Sequence, residues 1–494
     1  MIQLNASVYD IEDDKILFSL VERALNKHLE IVRNKWQRDF DYYNGVGKEA
    51  HQTNKAKYID DMSNSLFISI PPEFSTYNTD DTEAISKNNK KLKLRGFGKA
   101  LYDVGSNASI CGSGFLLTYN KDSDEYPRFV SLDPLRTNVC FNCDVEPDSL
   151  FGFTFVKQVE NINSNEDNTY YKIYVYTDKY MYTLRTISTK NLNVFYYYPI
   201  KLEEDILRNK TPHYFGKVPI TAFKNNENET GDSFCVYGLI DAYNHIREDA
   251  IKNIDDVINY ILFMKNVRIG NDEELQMFRK LLDEHIIAAE DIDGKGVDAK
   301  FLTNPLSQND IQTMLESISN DIHTISRVPN FSSETFAQNA SSIALQLKLL
   351  GFLNLANEKE RCFDQSLIRV LKMINNYLKF IKNDEYTFEV DDIEITYTHN
   401  LPSNDTEMVT QMVNLKNIGL LDAKEGLKQL SWVKDYETFY ENAKKEQEMQ
   451  KLVVDNLQKF NNNEREEEPM RKEQMDNLQN FSKGLTSNND NQSQ

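Results

Sequence analysis

Residues 328–363 read VPNFSSETFAQNASSIALQLKLLGFLNLANEKERCF. The segment opens polar, with proline and serine, and becomes a long apolar run holding one glycine, Gly351, and no proline. That pattern predicts a loop over 328–340 feeding the longest helix of the chain, over 341–382, with bends expected near Gly351 and Asn357. The run Asn357-Glu358-Lys359-Glu360-Arg361 reads as a charged turn. At 1.5 Å per residue the helix would be about 60 Å long, so it sets the scale of whatever packs around it.

With 494 residues, 40% of them apolar and 11% aromatic, the chain is long enough for about three domain-sized units with a sizeable core. Its formal charge of −21 argues against a protein that grips nucleic acid, because neutralising phosphates takes Lys and Arg. No 18-residue apolar run occurs and residues 1–15 lack a basic region followed by an apolar block, so no membrane span or leader is predicted. Five cysteines, an odd number, suit a reducing compartment better than a disulfide scaffold.

Periodicity divides the chain. Helices are predicted over 15–43, with Ile16, Leu20, Ala24, Leu25, His28 and Val32 on one face, over 58–69 up to Pro71-Pro72, and from Thr82 toward Gly105. Residues 114–223 are aromatic and β-branched in short runs bounded by Asn, Asp and Lys, which predicts an antiparallel sheet region with strands near 151–156, 170–176, 180–184 and 194–198. From Tyr237, apolar residues step by three and four through Leu239, Tyr243, Ile246, Ala250, Ile254, Val257, Ile261 and Met264. That is one stripe of a helix about 40 Å long, the other faces carrying mostly acidic groups. A mixed segment follows, with short strands near 267–269 and 299–302. A second helix comes next, with Ile311, Leu315, Ile318, Ile322 and Ile325. After the long helix a strand pair is expected over 386–390 and 393–397. Helices capped at Asn404 and Asp422 come next, and residues 461–494 form a polar, disordered tail. The class is α+β, mostly α.

Catalytic signals are weak throughout. Asp291-Ile292-Asp293-Gly294-Lys295-Gly296 starts like a calcium loop but has Lys295 at the fifth position and Leu302 where a bidentate Glu is needed. Gly96-Phe97-Gly98-Lys99-Ala100 lacks the spacing and hydroxyl of a phosphate loop and reads as a turn inside a helix. Cys140 and Cys143 are half of a zinc pattern with no second pair. Asp391, Asp392 and Glu394, and the pair Asp255-Asp256, could hold magnesium. With no basic or His partner at fixed spacing, solvated edges are the simpler reading. No enzyme, cofactor or metal is expected.

The order of residues around the loop, Pro329-Asn330-Phe331, Glu334, Phe336 and then Gln338 to Leu345, resembles the tunnel loop and long helix of the portal proteins of tailed bacteriophages. Further matches follow in the family's order. Phe40 to Gly45 is similar to its aromatic helix exit, and residues 54–74 to its Asn-initiated helix ending in proline. Cys111 to Leu116 with Ser131-Leu132-Asp133-Pro134 resembles the turns of its wing. Phe215 to Ile220 with Phe223, Asn225, Asn226, Gly231 and Asp232 resembles the entry to its stem. Leu401-Pro402, Asn404, Glu407 and residues 430–435 resemble its crown. The matches span 36–445.

The resemblance implies a portal fold: a wing over 1–236, stem helices over 237–265 and 308–327, and a clip over 266–307. It further implies a tunnel loop over 328–340, a long wing helix with short strands over 341–401, and a crown over 402–460. It implies a ring of this chain, roughly a dodecamer, with a strongly negative lumen through which double-stranded DNA slides without sequence reading. Asn330, Phe331, Ser332, Ser333, Glu334 and Thr335 would lie nearest the DNA. Implied partners are the major capsid protein, the scaffolding protein, the terminase large subunit, which carries the ATP chemistry, and a head-completion adaptor. The site is the portal vertex of the virion, with the host cytoplasm during assembly and no membrane. The rival readings are a minor capsid or adaptor protein without a channel, and a metal-dependent nuclease using Asp391 to Glu394.

Overall fold

The computed structural model describes residues 1–46, 52–78, 81–121, 124–160, 168–186, 202, 210–257, 261–265, 276, 279, 298–302, 308–332, 342–381, 383, 386–399, 405–419, 422–428, 436, 438–452 and 475–477. It forms two compact units, Met1–Leu401 and Pro402–Gln494.

The first unit begins with strand β1 (Ile2–Gln3) and helix α1 (Asp14–Ile31), which a π-turn (Val32–Trp36) joins to α2 (Gln37–Asn44). Asp13 caps α1 by accepting from the Lys15 amide at 2.8 Å. The buried stripe is Leu17, Leu20, Val21, Ala24, Leu25, His28 and Leu29. Ile16, expected on this face, lies 43% exposed because the stripe is centred one residue later. α2 ends at Gly45, whose φ of 68° closes the helix in the left-handed region.

Helices α3 (Lys55–Ile68), α4 (Thr82–Leu94) and α5 (Phe97–Cys111) follow. A single helix was expected from Thr82 toward Gly105. It is broken at Gly96, whose φ of +74° lets α5 turn away from α4. α5 ends at Gly112, φ +86°, where a side chain would run into the backbone of Glu229.

The predicted sheet region is two sheets. One has the order β1-β5-β6-β7-β8-β9, built from Thr137–Phe141, Ser149–Glu160, Asn168–Tyr176, Tyr180–Arg185 and Lys210–Pro212, antiparallel except for β1 on β5. Phe153, Phe155, Ile173, Val175 and Leu184 alternate inward and pack on α1. The other sheet is β10-β3-β4 (Ile220–Lys224, Ser113–Tyr119, Arg128–Leu132). Its central strand β3 is buried from Ser113 through Thr118, so it shows no alternation of exposed residues. The strand expected over 194–198 lies outside the described residues.

α6 (Tyr237–Val257) and α7 (Gln308–Ser326) pack on each other. α6 is shorter than expected. Ile261–Lys265, assigned to its stripe, forms strand β11, antiparallel to β12 (Asp298–Leu302). The expected strand at 267–269 lies outside the described residues. α8 (Ser342–Phe380) is continuous over 39 residues, about 58 Å. The run 357–361 is therefore helix, not a turn. β13 (Ile393–Thr396) pairs with β2 (Glu73–Thr76), more than 300 residues away in sequence, instead of with 386–390. There the Phe388 carbonyl and amide bond the Asn375 side chain at 2.8 and 3.4 Å, which takes the place of a strand partner.

The largest core cluster joins α3, α4, α5 and α8 and includes Phe67, Phe363, Leu367 and Ile374. The second unit contains α9 (Asp405–Asn417) and α10 (Ala423–Lys428), with residues 438–452 also helical. Most of the tail over 461–494 lies outside the described residues. No described helix is long and apolar enough to cross a membrane.

Candidate functional site

The segments expected to form the channel converge where α6 begins, α7 ends and the loop after α7 departs. Aromatic residues leaving α2 hold the start of α6. Tyr42 stacks on Tyr237 at 3.9 Å between centroids with planes 3° apart, and its hydroxyl donates to Asp241 at 2.5 Å. Burial, and then the Asp241 carboxylate, push that phenol up to about 12, so it remains a donor. One turn on, the Asn244 side chain accepts from the Thr53 amide at 2.9 Å and donates to the Thr53 carbonyl at 3.2 Å, completing a backbone-like pair ahead of α3. Among the described side chains of α6 the most buried are Tyr237, Ile240 and Asn244, so over 237–252 its inner stripe is displaced from the one predicted.

α7 is tied to α3 by Lys55, whose ammonium donates to Ser319 at 3.0 Å and lies 4.5 Å from the Tyr243 ring centroid. Burial, and then nearby Arg247, lower the pKa of Lys55. Along α7, Ile322 is buried, Ile311, Leu315 and Ile318 are half-buried, and Ile325 is 51% exposed. The helix contains Asp310, Glu316 and Asp321, all exposed, and no Lys or Arg. Acidic charge on this helix is thus left without cations of its own.

The loop starts from Arg327 in the left-handed region, φ 61°. Val328 is buried and its carbonyl accepts from His323 at 2.9 Å, which makes Nδ1 the protonated ring nitrogen. The Tyr58 hydroxyl donates to the Pro329 carbonyl at 2.9 Å and accepts from the Phe331 amide at 3.3 Å. Asn330 is half-buried and its Oδ1 accepts from the Ser332 amide at 3.2 Å, an Asx turn. Phe331 is half-buried, edge-on to Phe352 at 6.1 Å. Ser332 is exposed. Of the six candidate loop residues, the structure therefore brings Asn330, Phe331 and Ser332 together, with Phe331 as an anchor. Ser333, Glu334 and Thr335 lie outside the described residues.

Sequence reasoning missed the polar knot beneath this junction. The Asp60 carboxylate accepts from the Ser233 amide and hydroxyl, both at 3.0 Å. Asp232 accepts from Asn225 at 2.8 Å and from the Lys359 ammonium at 2.5 Å, and Lys359 also donates to Ser109 at 2.8 Å. Asp60 and Lys359 are each 2% exposed and Asp232 is 7% exposed. Burial, and then the neighbouring charge of Asp232, hold the Asp60 carboxyl well above the usual range. Asp232 and Lys359 form the ion pair of the knot. The available signal was a lysine at a core position, three residues after Ala356 and four before Phe363 in an otherwise apolar stripe.

The weaker chemical candidates separate in space. Cys140 is buried, its thiol pushed up by burial, whereas Cys143 is exposed. Asp391 and Asp392 are exposed and Asp391 pairs with Lys372 at 3.2 Å. Among the described residues no three His, Cys, Asp or Glu side chains are grouped to hold a metal. The calcium-like run 291–296 lies outside the described residues, as do the side chains of Asp255 and Asp256.

The sequence matches the family described as phage portal protein, SPP1 Gp6-like, over residues 26–452. The portal protein of Bacillus phage SPP1 is 23% identical to it over 420 residues, which cover 83% of this chain and 80% of that relative.

Proposed function

The chain belongs to the phage portal protein family, SPP1 Gp6-like, and from that premise we propose that it assembles into a ring at one vertex of a tailed-phage capsid. Double-stranded DNA passes through the ring during packaging by the terminase motor, is retained there, and leaves through it on ejection. The ring holds about twelve copies with closed rotational symmetry. The single observation that carries the reading is the extent of the match, which runs through both units without a break of family.

In this reading α6 and α7 are the stem, the segment 266–307 the clip, and the second unit the crown. Residues 1–236 with α8 form the wing, seated in the capsid shell and formed around scaffolding protein. The clip receives the terminase large subunit during packaging and a head-completion adaptor afterwards. The exposed acids of α7 and the formal charge of −21 per chain favour a lumen that repels phosphates and lets DNA slide without sequence reading. The chain supplies a channel and docking surfaces, and ATP hydrolysis belongs to the motor. The nuclease reading has nothing to support it in the geometry around Asp391 and Asp392.

Negative-stain imaging with mass photometry tests the proposal. From the chain mass of 57.5 kDa, rings with a central hole near 690 kDa, about twelve copies, are the expected result. A monomer or small oligomer, in the presence of capsid and scaffolding proteins as well as alone, would point instead to an adaptor without a channel.

A further inference from the structure

α8 buries one stripe along its length, including Leu355, Lys359, Phe363, Leu367, Leu371 and Ile374, at spacings of three and four. A stripe of that kind nearly repeats every turn. Sliding the helix by one turn, about 5.4 Å, would place apolar side chain on apolar side chain at almost every level. Packing therefore chooses the face of α8 strongly and its axial position weakly. Two buried polar residues break the repeat: Asn375, which bonds the Phe388 backbone near the helix end, and Lys359, the one fully buried cation on the stripe among the described residues, which meets Asp232 five residues before α6 begins. A one-turn slip would set Ala356 or Phe363 against Asp232 and leave two buried charges unpaired.

We propose that Lys359 is a positioning residue that fixes the axial register of α8 against the start of α6. Buried ion pairs contribute little net stability but can specify one arrangement among near-equals. The ammonium donates to Asp232 and to Ser109 on α5, with the Asp60 side chain on α3 lying beyond Asp232. The neighbouring Glu358 meets Arg327 at the end of α7 at 2.9 Å, but that pair is exposed and weak. Because Phe331 of the loop packs on Phe352 of α8, the register of α8 also bears on where the start of the loop stands relative to α7. Within the proposed channel this would be the height of the loop; the register itself does not rest on that reading.

The test uses the full chain and three variants: Lys359→Met, Lys359→Met with Asp232→Leu, and the swap Lys359→Asp with Asp232→Lys. Thermal unfolding is read together with hydrogen exchange of peptides from α8. Lys359→Met alone should unfold at clearly lower temperature, and the apolar pair should recover most of that loss. In the recovered apolar pair, α8 amides should lose protection at least about tenfold, while peptides from β6 and β7 keep theirs. Wild-type protection of α8 in the apolar pair would show that packing alone sets the register and would overturn the proposal. If the apolar pair fails to fold, the swap decides. Recovery of both folding and α8 protection supports a register-fixing pair, and failure of the swap as well removes it.

Discussion

Acidification should loosen the packing of α1 on the six-stranded sheet through one side chain, His28. Its ring is fully buried between Trp36, Phe153 and Phe155, at centroid distances of 5.7, 5.5 and 5.9 Å. Nε2 donates to the Leu135 carbonyl at 3.1 Å and Nδ1 accepts from Asn138 at 3.3 Å, an arrangement that fits the neutral ring. Burial lowers the pKa to about 4. The unfolded chain then binds a proton below about pH 6.5 that the folded chain refuses until about pH 4, so this stability is present above 6.5 and lost as pH falls. Linkage gives a loss of about 2 kcal/mol between pH 7 and pH 5, and about 3 kcal/mol by pH 4. The chain has two tryptophans, so Trp432→Phe leaves Trp36 as a fluorescent reporter beside the histidine. Urea unfolding of that background should be compared with the same background carrying His28→Gln, which keeps one donor and one acceptor and cannot titrate. The variant should be weaker at pH 7, and its deficit should shrink by about 2 kcal/mol at pH 5. A deficit that stays constant between the two pH values would refute the assignment of a buried neutral ring.

Asp60→Asn tests the opposite sign. A buried acid with a raised pKa loses stability as pH climbs from about 4 toward that raised value. The variant should therefore gain on the wild type between pH 5 and pH 7 in thermal unfolding, and equal slopes would argue for an ionised Asp60. Gly112→Ala should cost about 3 kcal/mol, because a side chain at φ +86° runs into the Glu229 backbone, and calorimetry showing less than half of that would mean the turn can relax. Phe331→Ala should remove about 1–2 kcal/mol of half-buried packing on Phe352. Its signature would be faster proteolytic cleavage within 328–341 with the global melting temperature little changed; unchanged cleavage would mean that Tyr58 alone anchors the loop.

Residues 15–43 were legible as helical because their apolar spacing repeats locally; the Asp13 cap at the start appears only in the structure. The sheet region was legible from its aromatic runs, but not its division into two sheets, since β3 is buried on both faces and shows no alternation. Residues 261–265 continued the stripe of α6 by spacing, yet they pair with 298–302; a short apolar run satisfies helix and strand equally until a partner is present. Of the candidate loop, the sequence located the departure point at Val328. It did not reveal that Phe331 packs inward, because exposure there depends on Phe352 and Tyr58.

By itself, the sequence determined where the long helices and the aromatic strand region lie and, through the ordered matches from Phe40 to Asp435, the family. Only the tertiary structure decided the partners: β13 on β2, β1 on β5, Tyr42 on Tyr237, and Lys359 inside the core. The reason is that periodicity records the environment a face requires, whereas the group that supplies it lies elsewhere in the chain. A charge at residue 359 reads as solvated until Asp232 and Ser109 are brought against it.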